Sequence, residues 1–282
     1  MDELFHAEGD LDGDGFTEII TAFGFVDPIS DDYDRIDSCF ALRSRNGKIE
    51  LIKQDFCDGS AYEPYSIELV RFAGSDRYYI VVGTTNYASM NGLTVYEISG
   101  DDVMLVAAGE SAVGVCQAWL SDLQSDGSYG GFTVHLSSYD VLYYPVTTYY
   151  KFVKGSFEQQ DSIVDPGLYP AEPAEVVLHF LELSSVADNY PSPDITSRIS
   201  EMWADTPDYE PGGNAWYTAL FNYILGLEYD DEPTMKLSTA EDGQLVEVTV
   251  LLSDPLTGND VCVIFYLIRD VEKWVITNTL VE

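Results

Sequence analysis

The residues with the clearest chemical potential form a short acidic loop near the start of the chain. Asp10, Asp12 and Asp14 alternate along the sequence. Gly15 follows the third aspartate, and Glu18 lies four positions beyond that aspartate. A loop that turns around an ion presents side chains from alternate positions, and Ca²⁺ takes about six to eight oxygen ligands at roughly 2.3–2.6 Å. This spacing therefore predicts a calcium site.

Two further positions of the loop agree with a calcium site. The backbone carbonyl of Phe16, at the seventh position, is the fifth expected ligand, and Gly15 at the sixth position permits a sharp turn because glycine adopts φ > 0 without penalty. Thr21 stands at the twelfth position, where an EF-hand needs a bidentate glutamate, so the loop is not an EF-hand. A solvated acidic turn is the alternative, but the strict alternation favours calcium.

The loop leads directly into an apolar run, Glu18 to Phe25, that is typical of a β-strand. An acidic loop followed at once by a strand resembles the FG-GAP or VCBS repeat family, in which such a loop opens a propeller blade. The resemblance implies a calcium-binding, propeller-type repeat region. It rests on the loop, since the rest of the sequence is only loosely similar to a blade.

Three hairpin-like segments recur in the first part of the chain. Their turn glycines are Gly47, Gly100 and Gly155, spaced by 53 and 55 residues. Further apolar runs precede each hairpin, which predicts about three units of four short strands, a partial propeller-like array. Because a propeller typically needs four to eight blades, the sequence leaves open a fragment of a propeller or an open array of sheets.

A second acidic loop, from Asp122 to Gly130, is a degenerate copy of the first. Asp122 and Asp126 match the first and fifth positions of the calcium pattern. Gln124 replaces the middle aspartate, and Gly130 replaces the glutamate. With two carboxylates lost, we expect a polar turn rather than a metal site.

The chain changes character after a segment rich in proline and glycine at 161–173, which we interpret as a linker between a β domain (1–160) and a second domain (174–282). Helical patterns over 172–183, from Pro193 and from Gly213 precede four strand patterns. The predicted strands are Met235–Ser238, Leu245–Ser253, Val261–Arg269 and Lys273–Val281. Helices followed by antiparallel strands predict an α+β fold with a helix-wrapped curved sheet. The order, and the closing strand around Glu272–Thr277, resembles the nuclear transport factor 2-like fold.

That resemblance implies a cone that can enclose a pocket, as in ketosteroid isomerases, which place a carboxylate base and a proton donor among apolar walls. Candidate pocket-lining residues are Trp203, Trp216, Tyr217 and Trp274, with core packing as the alternative. His179 lies opposite the apolar stripe of the first predicted helix, so we expect it at the surface. No catalytic motif such as GxSxG or HExxH occurs, and no catalytic residue is predicted.

Composition limits the classes of partner. The formal charge is −36, with 49 acidic and 13 basic residues, which argues against nucleic acid and against anionic membranes. No apolar run is long enough to insert into a membrane. Four cysteines are too few and too scattered for a disulfide scaffold. A hairpin turning at Asn46–Gly47 nevertheless brings Cys39 opposite Gln54, about three residues short of Cys57. A disulfide between Cys39 and Cys57 would need their Cα atoms within about 7 Å.

A weak calcium loop works where calcium is millimolar, so we expect an extracellular or cell-surface location. The preferred hypothesis is a non-enzymatic bacterial protein in which a calcium-stabilised β-repeat region and a small α+β domain bind a protein or a glycan. The alternative hypothesis places a small molecule, or an isomerase-like reaction, inside the cone of the second domain.

Overall fold

A computed structural model describes residues 1–26, 35–59, 62–110, 115–137, 144–190, 192–204, 235–239, 243–254 and 256–282. The chain divides into two compact units, Met1–Ser162 and Ile163–Glu282, and each is described here by itself. The predicted domain limits, with a linker at 161–173 and independent folding on either side, stay a prediction.

The first unit begins with a four-stranded antiparallel sheet in chain order. Its strands are β1 (Asp2–Gly9), β2 (Thr17–Phe25), β3 (Arg35–Arg45) and β4 (Lys48–Gln54). Strand β1 was not predicted, and it pairs along most of β2. A short 3-10 helix, Phe56–Gly59, follows β4.

Two further sets of four antiparallel strands follow, and a short parallel contact between the third strand of one and the first strand of the next joins them into one larger sheet. The strands of the second set are β5 (Glu63–Arg71), β6 (Tyr78–Thr85), β7 (Met90–Ser99) and β8 (Asp102–Gly109). Those of the third set are β9 (Val115–Leu123), β10 (Tyr129–Ser137), β11 (Val146–Val153) and β12 (Ser156–Gln159).

The three predicted hairpins are confirmed. Gly47, Gly100 and Gly155 have φ of 73°, 60° and 90°, and each lies in a two-residue turn between paired strands. Such turns need φ > 0, which glycine adopts at little cost. Among the described strands no sheet closes on itself, so a β-rich architecture is shown but a propeller is not.

The core of the first unit has an aliphatic and an aromatic part. Ile20, Ala41 and Ile80 belong to the first cluster, together with Cys39 and Cys57. The second cluster is built from stacked and edge-on rings, with ring centroids 4.8–5.3 Å apart among its closest pairs. Ring contacts of this kind add to the burial of apolar area.

The second unit combines two described helices with a four-stranded antiparallel sheet. Phe180 of helix α1 (Pro173–Asn189) packs edge-on against Phe265 of the sheet, with ring centroids 6.1 Å apart. The third predicted helix, from Gly213, lies outside the described residues. The described elements are β13 (Ile163–Val164), α1 (Pro173–Asn189), α2 (Pro193–Glu201), β14 (Met235–Thr239), β15 (Leu245–Ser253), β16 (Asp260–Asp270) and β17 (Lys273–Val281).

The second unit is therefore α+β, as predicted, and the bounds of β15 and β17 agree with the sequence patterns. Neither α1 nor α2, the helices that the structure describes, has the length and the apolar composition needed to cross a bilayer.

Candidate metal centre

The acidic loop between β1 and β2 is turned by its own carboxylates. Each of its three aspartates accepts a hydrogen bond from a backbone amide further along the loop, the local pattern that favours aspartate in turns. The amides of Gly13 and Gly15 donate to Asp10 (2.8 and 3.1 Å), that of Asp14 to Asp12 (3.0 Å) and that of Phe16 to Asp14 (2.9 Å).

The turn gathers the four predicted side-chain ligands. One ligand atom from each of Asp10, Asp12, Asp14 and Glu18 lies within 4.8 Å of all the others. Two oxygens on opposite sides of a Ca²⁺ ion are about 4.6–5.2 Å apart, because each lies about 2.3–2.6 Å from it. The cluster therefore has the dimensions of a coordination sphere.

An arginine that was not predicted lies in the same cluster. The guanidinium of Arg43, 4% exposed, donates from Nη2 to Asp12 Oδ2 at 2.8 Å and from Nε to Glu18 Oε1 at 2.9 Å. Asp14 Oδ2 lies 3.6 Å from Nη2. Nη1 reaches the exposed Asp101, in the turn between β7 and β8, at 3.2 Å. Three of the four carboxylates of the loop thus lie against one internal cation.

Strand register places the buried pair. Glu18 is the second residue of β2 and lies directly opposite Arg43 of β3, and the Glu18 side chain is fully buried. Its second oxygen accepts the amide of Leu11 at 2.9 Å. Leu11 is itself buried, and its carbonyl accepts the amide of Tyr78 at the start of β6. The loop is therefore fixed to both sheets.

The charges of the loop do not balance. Burial disfavours a charged guanidinium, but the hydrogen bond that Arg43 donates to Glu18 and the charges of Asp14, Glu18 and Asp12 outweigh it, so the pKa of Arg43 is raised from its ordinary value. Four carboxylates against one guanidinium leave three formal negative charges. A surplus of this kind attracts a cation.

One sequence signal could have found Arg43. Cys39, Ala41 and Arg43 occupy alternate positions of β3, and all three are buried. An arginine in the inward register of a strand needs a carboxylate partner, since buried charges are paired. The acidic loop at the start of the neighbouring strand supplies that partner.

Phe16 has a second role besides its position in the loop. Its ring lies 4.3 Å from the guanidinium carbon of Arg45, a cation–π contact. The Phe16 amide is used by Asp14. The expected use of its carbonyl as a metal ligand stays a prediction.

The degenerate loop between β9 and β10 is built differently. Asp126 Oδ1 accepts both the hydroxyl and the amide of Ser128, at 2.7 and 3.0 Å, and these bonds lower the Asp126 pKa. Gly130 has no room for a side chain, because a Cβ there would lie 2.1 Å from Asp122 Oδ2. In the part of the chain that the structure describes, only the first loop forms a group of three or more metal-ligating side chains.

Of the four candidate pocket residues of the second unit, the structure describes two, Trp203 and Trp274, so the predicted pocket stays a prediction. Trp203 is buried, with its ring 5.5 Å from that of Phe180. Trp274 is partly buried, and its carbonyl accepts the hydroxyl of Tyr169 at 2.6 Å. Trp216 and Tyr217 lie outside the described residues.

A cleft of about 420 Å³ lies instead between α1 and the segment 168–171. His179 and Glu182 line it, and each is only 8% exposed. The surface position predicted for His179 is wrong, because the segment before α1 covers this face of the helix. Burial, together with the nearby charge of Arg198, lowers the His179 pKa to about 4, so the imidazole is neutral at neutral pH.

No protein-family model matches this chain, and no curated protein matches it either. The resemblance to FG-GAP or VCBS repeats therefore rests on the loop residues alone. The structure is similar to an endo-arabinase from Bacteroides thetaiotaomicron VPI-5482, with 11% identity over 93% of this chain and 76% of that chain and a TM-score of 0.25.

It is also similar to an Ntf2-like protein involved in plasmid conjugation, with 9% identity over 77% of this chain and 75% of that chain and a TM-score of 0.23. At these TM-scores neither likeness carries an argument about fold or function. The nuclear transport factor 2-like interpretation of the second unit therefore stays an interpretation.

Proposed function

We propose that this protein is a non-enzymatic binding protein of the cell surface or the extracellular space, and that Ca²⁺ stabilises its first unit at the loop from Asp10 to Glu18. The observation that carries the proposal is the convergence of four carboxylates within 4.8 Å. The loop is already turned by its aspartates, so a cation would bind without a large rearrangement.

The donor set favours calcium over other common cations. All the proposed ligands are oxygens. A structural zinc site uses cysteine and histidine ligands instead, so the donor set argues against zinc. Magnesium requires near-ideal octahedral geometry at about 2.0–2.1 Å and loses its water reluctantly. The irregular loop, with two of its carboxylates shared with Arg43, suits the flexible coordination of calcium better.

The proposed arrangement of the first unit is a propeller-type array. Three successive sets of four antiparallel strands support it, as does a calcium loop directly before a strand. The proposed location follows from the affinity expected of such a loop, about 10⁻⁴–10⁻³ M in extracellular modules, which matches a compartment with millimolar calcium.

The first unit also offers a surface for a partner. Trp119 of β9 is 45% exposed, and it is in register with Thr133 of β10, which in turn pairs with Tyr149 of β11. An exposed aromatic ring in a row of polar side chains can contact both the apolar face and the hydroxyl groups of a sugar. We therefore place the glycan or protein partner at this sheet face.

Calorimetric titration of the whole chain with CaCl₂ and with MgCl₂ tests the metal. We expect a Kd for calcium of about 10⁻⁴–10⁻³ M and a weaker affinity for magnesium. Equal affinities for the two ions, or no calcium binding at millimolar concentration, would contradict the proposal.

A glycan array tests the partner surface. We expect Trp119→Ala to lose any signal of the wild type, whereas Tyr87→Ala, which removes another exposed aromatic side chain of the same unit, keeps it. A signal that Trp119→Ala keeps would place the glycan elsewhere, and the absence of any signal from the wild type would contradict a glycan partner.

A second candidate function is the binding of a small molecule in the cleft of the second unit. The cleft has a volume within the usual range for ligand sites, about 300–1,000 Å³, and a buried neutral imidazole beside the carboxyl group of Glu182. Both side chains line the cleft, and such polar groups can orient a ligand. With a pKa of about 4, His179 is a weak base at neutral pH, so binding is better supported than catalysis.

The protonation of His179 should make the second unit sensitive to acid. Its folded pKa of about 4 is below the ordinary value of 6.5, so the unfolded state binds more protons between these pH values. Stability should therefore fall as pH drops from 6.5 towards 4, by up to about 3 kcal/mol. Denaturation of the wild type and of His179→Gln across this range checks it. Equal losses of stability in both proteins would mean that protonation of His179 does not cause the acid sensitivity.

A further inference from the structure

Cys39 and Cys57 meet in the core of the first unit. Cys39 lies on β3, and Cys57 lies in the 3-10 helix that follows β4. Each is 1% exposed, and the amide of Cys57 donates to the sulfur of Cys39 with an N–Sγ distance of 3.2 Å. In the structure both residues are thiols. Two cysteines that are 18 positions apart in sequence are thus in contact in the buried core.

Backbone contacts fix the 3-10 helix at this position. The amide of Asp55 donates to the carbonyl of Cys39 at 2.6 Å, and the amide of Cys39 donates to Asp55 Oδ1 at 3.4 Å. Phe56, the next residue, places its ring edge-on to Tyr96 with centroids 5.7 Å apart. The approach of the two cysteines therefore follows from contacts of the two residues that precede Cys57.

We propose that Cys39 and Cys57 form a disulfide when the chain folds in oxidising surroundings. A disulfide joins Cα atoms about 4.4–6.8 Å apart. The Cys39 sulfur is 3.2 Å from the amide nitrogen of Cys57, and one bond of about 1.46 Å joins that nitrogen to the Cys57 Cα. The Cys57 Cα therefore lies within about 4.7 Å of the Cys39 sulfur, and we expect rotation of the Cys57 side chain to bring the sulfurs together.

A third side chain supports the closeness of the two sulfurs. Tyr96 is buried in the same cluster. Burial is the main cause that raises its pKa, and both Cys57 and Cys39 add to the shift. Both thiols therefore lie near the same phenol.

The reaction is a thiol–disulfide exchange with a low-molecular-weight disulfide, such as oxidised glutathione. One cysteine thiolate attacks the oxidant to give a mixed disulfide and one reduced glutathione. The second cysteine then attacks the mixed disulfide and releases another reduced glutathione. Two protein thiols lose two protons and two electrons in all. Because both thiols are almost fully buried, the bond should form during folding and only slowly in the folded protein.

Peptide mapping tests the proposal. The reduced, denatured chain is refolded with a mixture of reduced and oxidised glutathione, then alkylated without reduction and digested. We expect a linked peptide pair that contains Cys39 and Cys57, with Cys116 and Cys262 alkylated. Four alkylated cysteines, or a bridge through Cys116 or Cys262, would overturn the proposal.

Thermal unfolding gives an independent readout. We expect a reductant to lower the Tm of the refolded wild type by several degrees, because the bridge closes a loop in the unfolded chain. Cys57→Ala should lose this sensitivity, and Cys262→Ala should keep it. Equal sensitivity of all three proteins would also overturn the proposal. These outcomes do not depend on calcium, so they leave the proposed function untouched.

Discussion

The two acidic loops of the first unit make the same turn by different means. Both use a glycine with positive φ at the sixth position, Gly15 at 87° and Gly127 at 81°. In the first loop the aspartate side chains accept the backbone amides. In the second loop one aspartate, Asp126, accepts an amide in this way, and the backbone carbonyls of Ser128 and Gln124 accept two further amides, at 2.7 and 3.0 Å. Only the first design concentrates charge, so we propose a bound cation for the first loop and none for the second.

An arginine contacts each loop, and the two arginines differ in burial and in the groups that accept their hydrogen bonds. Arg43 is buried and donates to carboxylates. Arg71 donates to the backbone carbonyl of Asp126 at 3.0 Å, in an exposed contact. Arg43 offsets part of the carboxylate charge of the first loop. Arg71 adds a surface hydrogen bond to a turn whose backbone groups are already paired.

Removal of Arg43 should produce the largest difference between the loops. Arg43→Met leaves the fully buried Glu18 carboxylate without its charged partner, so we expect the free energy of unfolding to fall by about 3–5 kcal/mol. Arg71→Met removes a surface contact and should change it by about 0.5 kcal/mol or less. Urea denaturation of the two variants and the wild type measures both effects.

Calcium should interact with this result. Without its internal cation the first loop carries four uncompensated carboxylates, so calcium should raise the stability of Arg43→Met more than that of the wild type. If Arg43→Met and Arg71→Met destabilise the chain equally, the buried ion pair does not distinguish the two loops.

The ninth position of each loop offers a smaller test. Gly130→Ala places a Cβ against Asp122, and overpacking of this kind costs about 1–3 kcal/mol. Asp122 has a positive φ of 59°, so Asp122→Gly should be tolerated and should relieve the clash. A double-mutant cycle between the two positions measures the coupling. Additive effects would show that Asp122 does not exclude a side chain there.

Local patterns were enough to predict much of this architecture. The hairpin turns and the bounds of β15 and β17 follow from glycine positions and from alternation within single segments. The four carboxylates of the first loop also lie close in sequence, and a single turn brings them together. Features that depend on a few neighbouring residues were therefore predictable.

Features that depend on contacts between distant segments could not be predicted from local patterns. Arg43 reaches Glu18 across 25 positions, through a strand register that no local pattern fixes. The burial of His179 depends on a covering segment outside its own helix, so helical periodicity alone gave the wrong environment. The meeting of Cys39 and Cys57 likewise depends on where a 3-10 helix packs.

The central claim is that the first loop binds calcium and the second does not. If the Kd is about 10⁻⁴–10⁻³ M, millimolar calcium stabilises the folded state by roughly 0.4–1.4 kcal/mol, a rise in Tm of roughly 1–5 °C for a unit of this size. Asp10→Asn is the sharpest variant, because Asp10 is exposed and bonded only to amides. Asp12→Ala would also break the pair with Arg43. Asp126→Asn, the same change of a carboxylate to an amide in the second loop, is the control for Asp10→Asn.

The decisive measurement is the Tm of the wild type, Asp10→Asn and Asp126→Asn with and without millimolar CaCl₂. We predict a calcium-dependent rise in the wild type and in Asp126→Asn, and its loss in Asp10→Asn. An equal response of all three proteins would show that the first loop is an acidic turn and not a metal site.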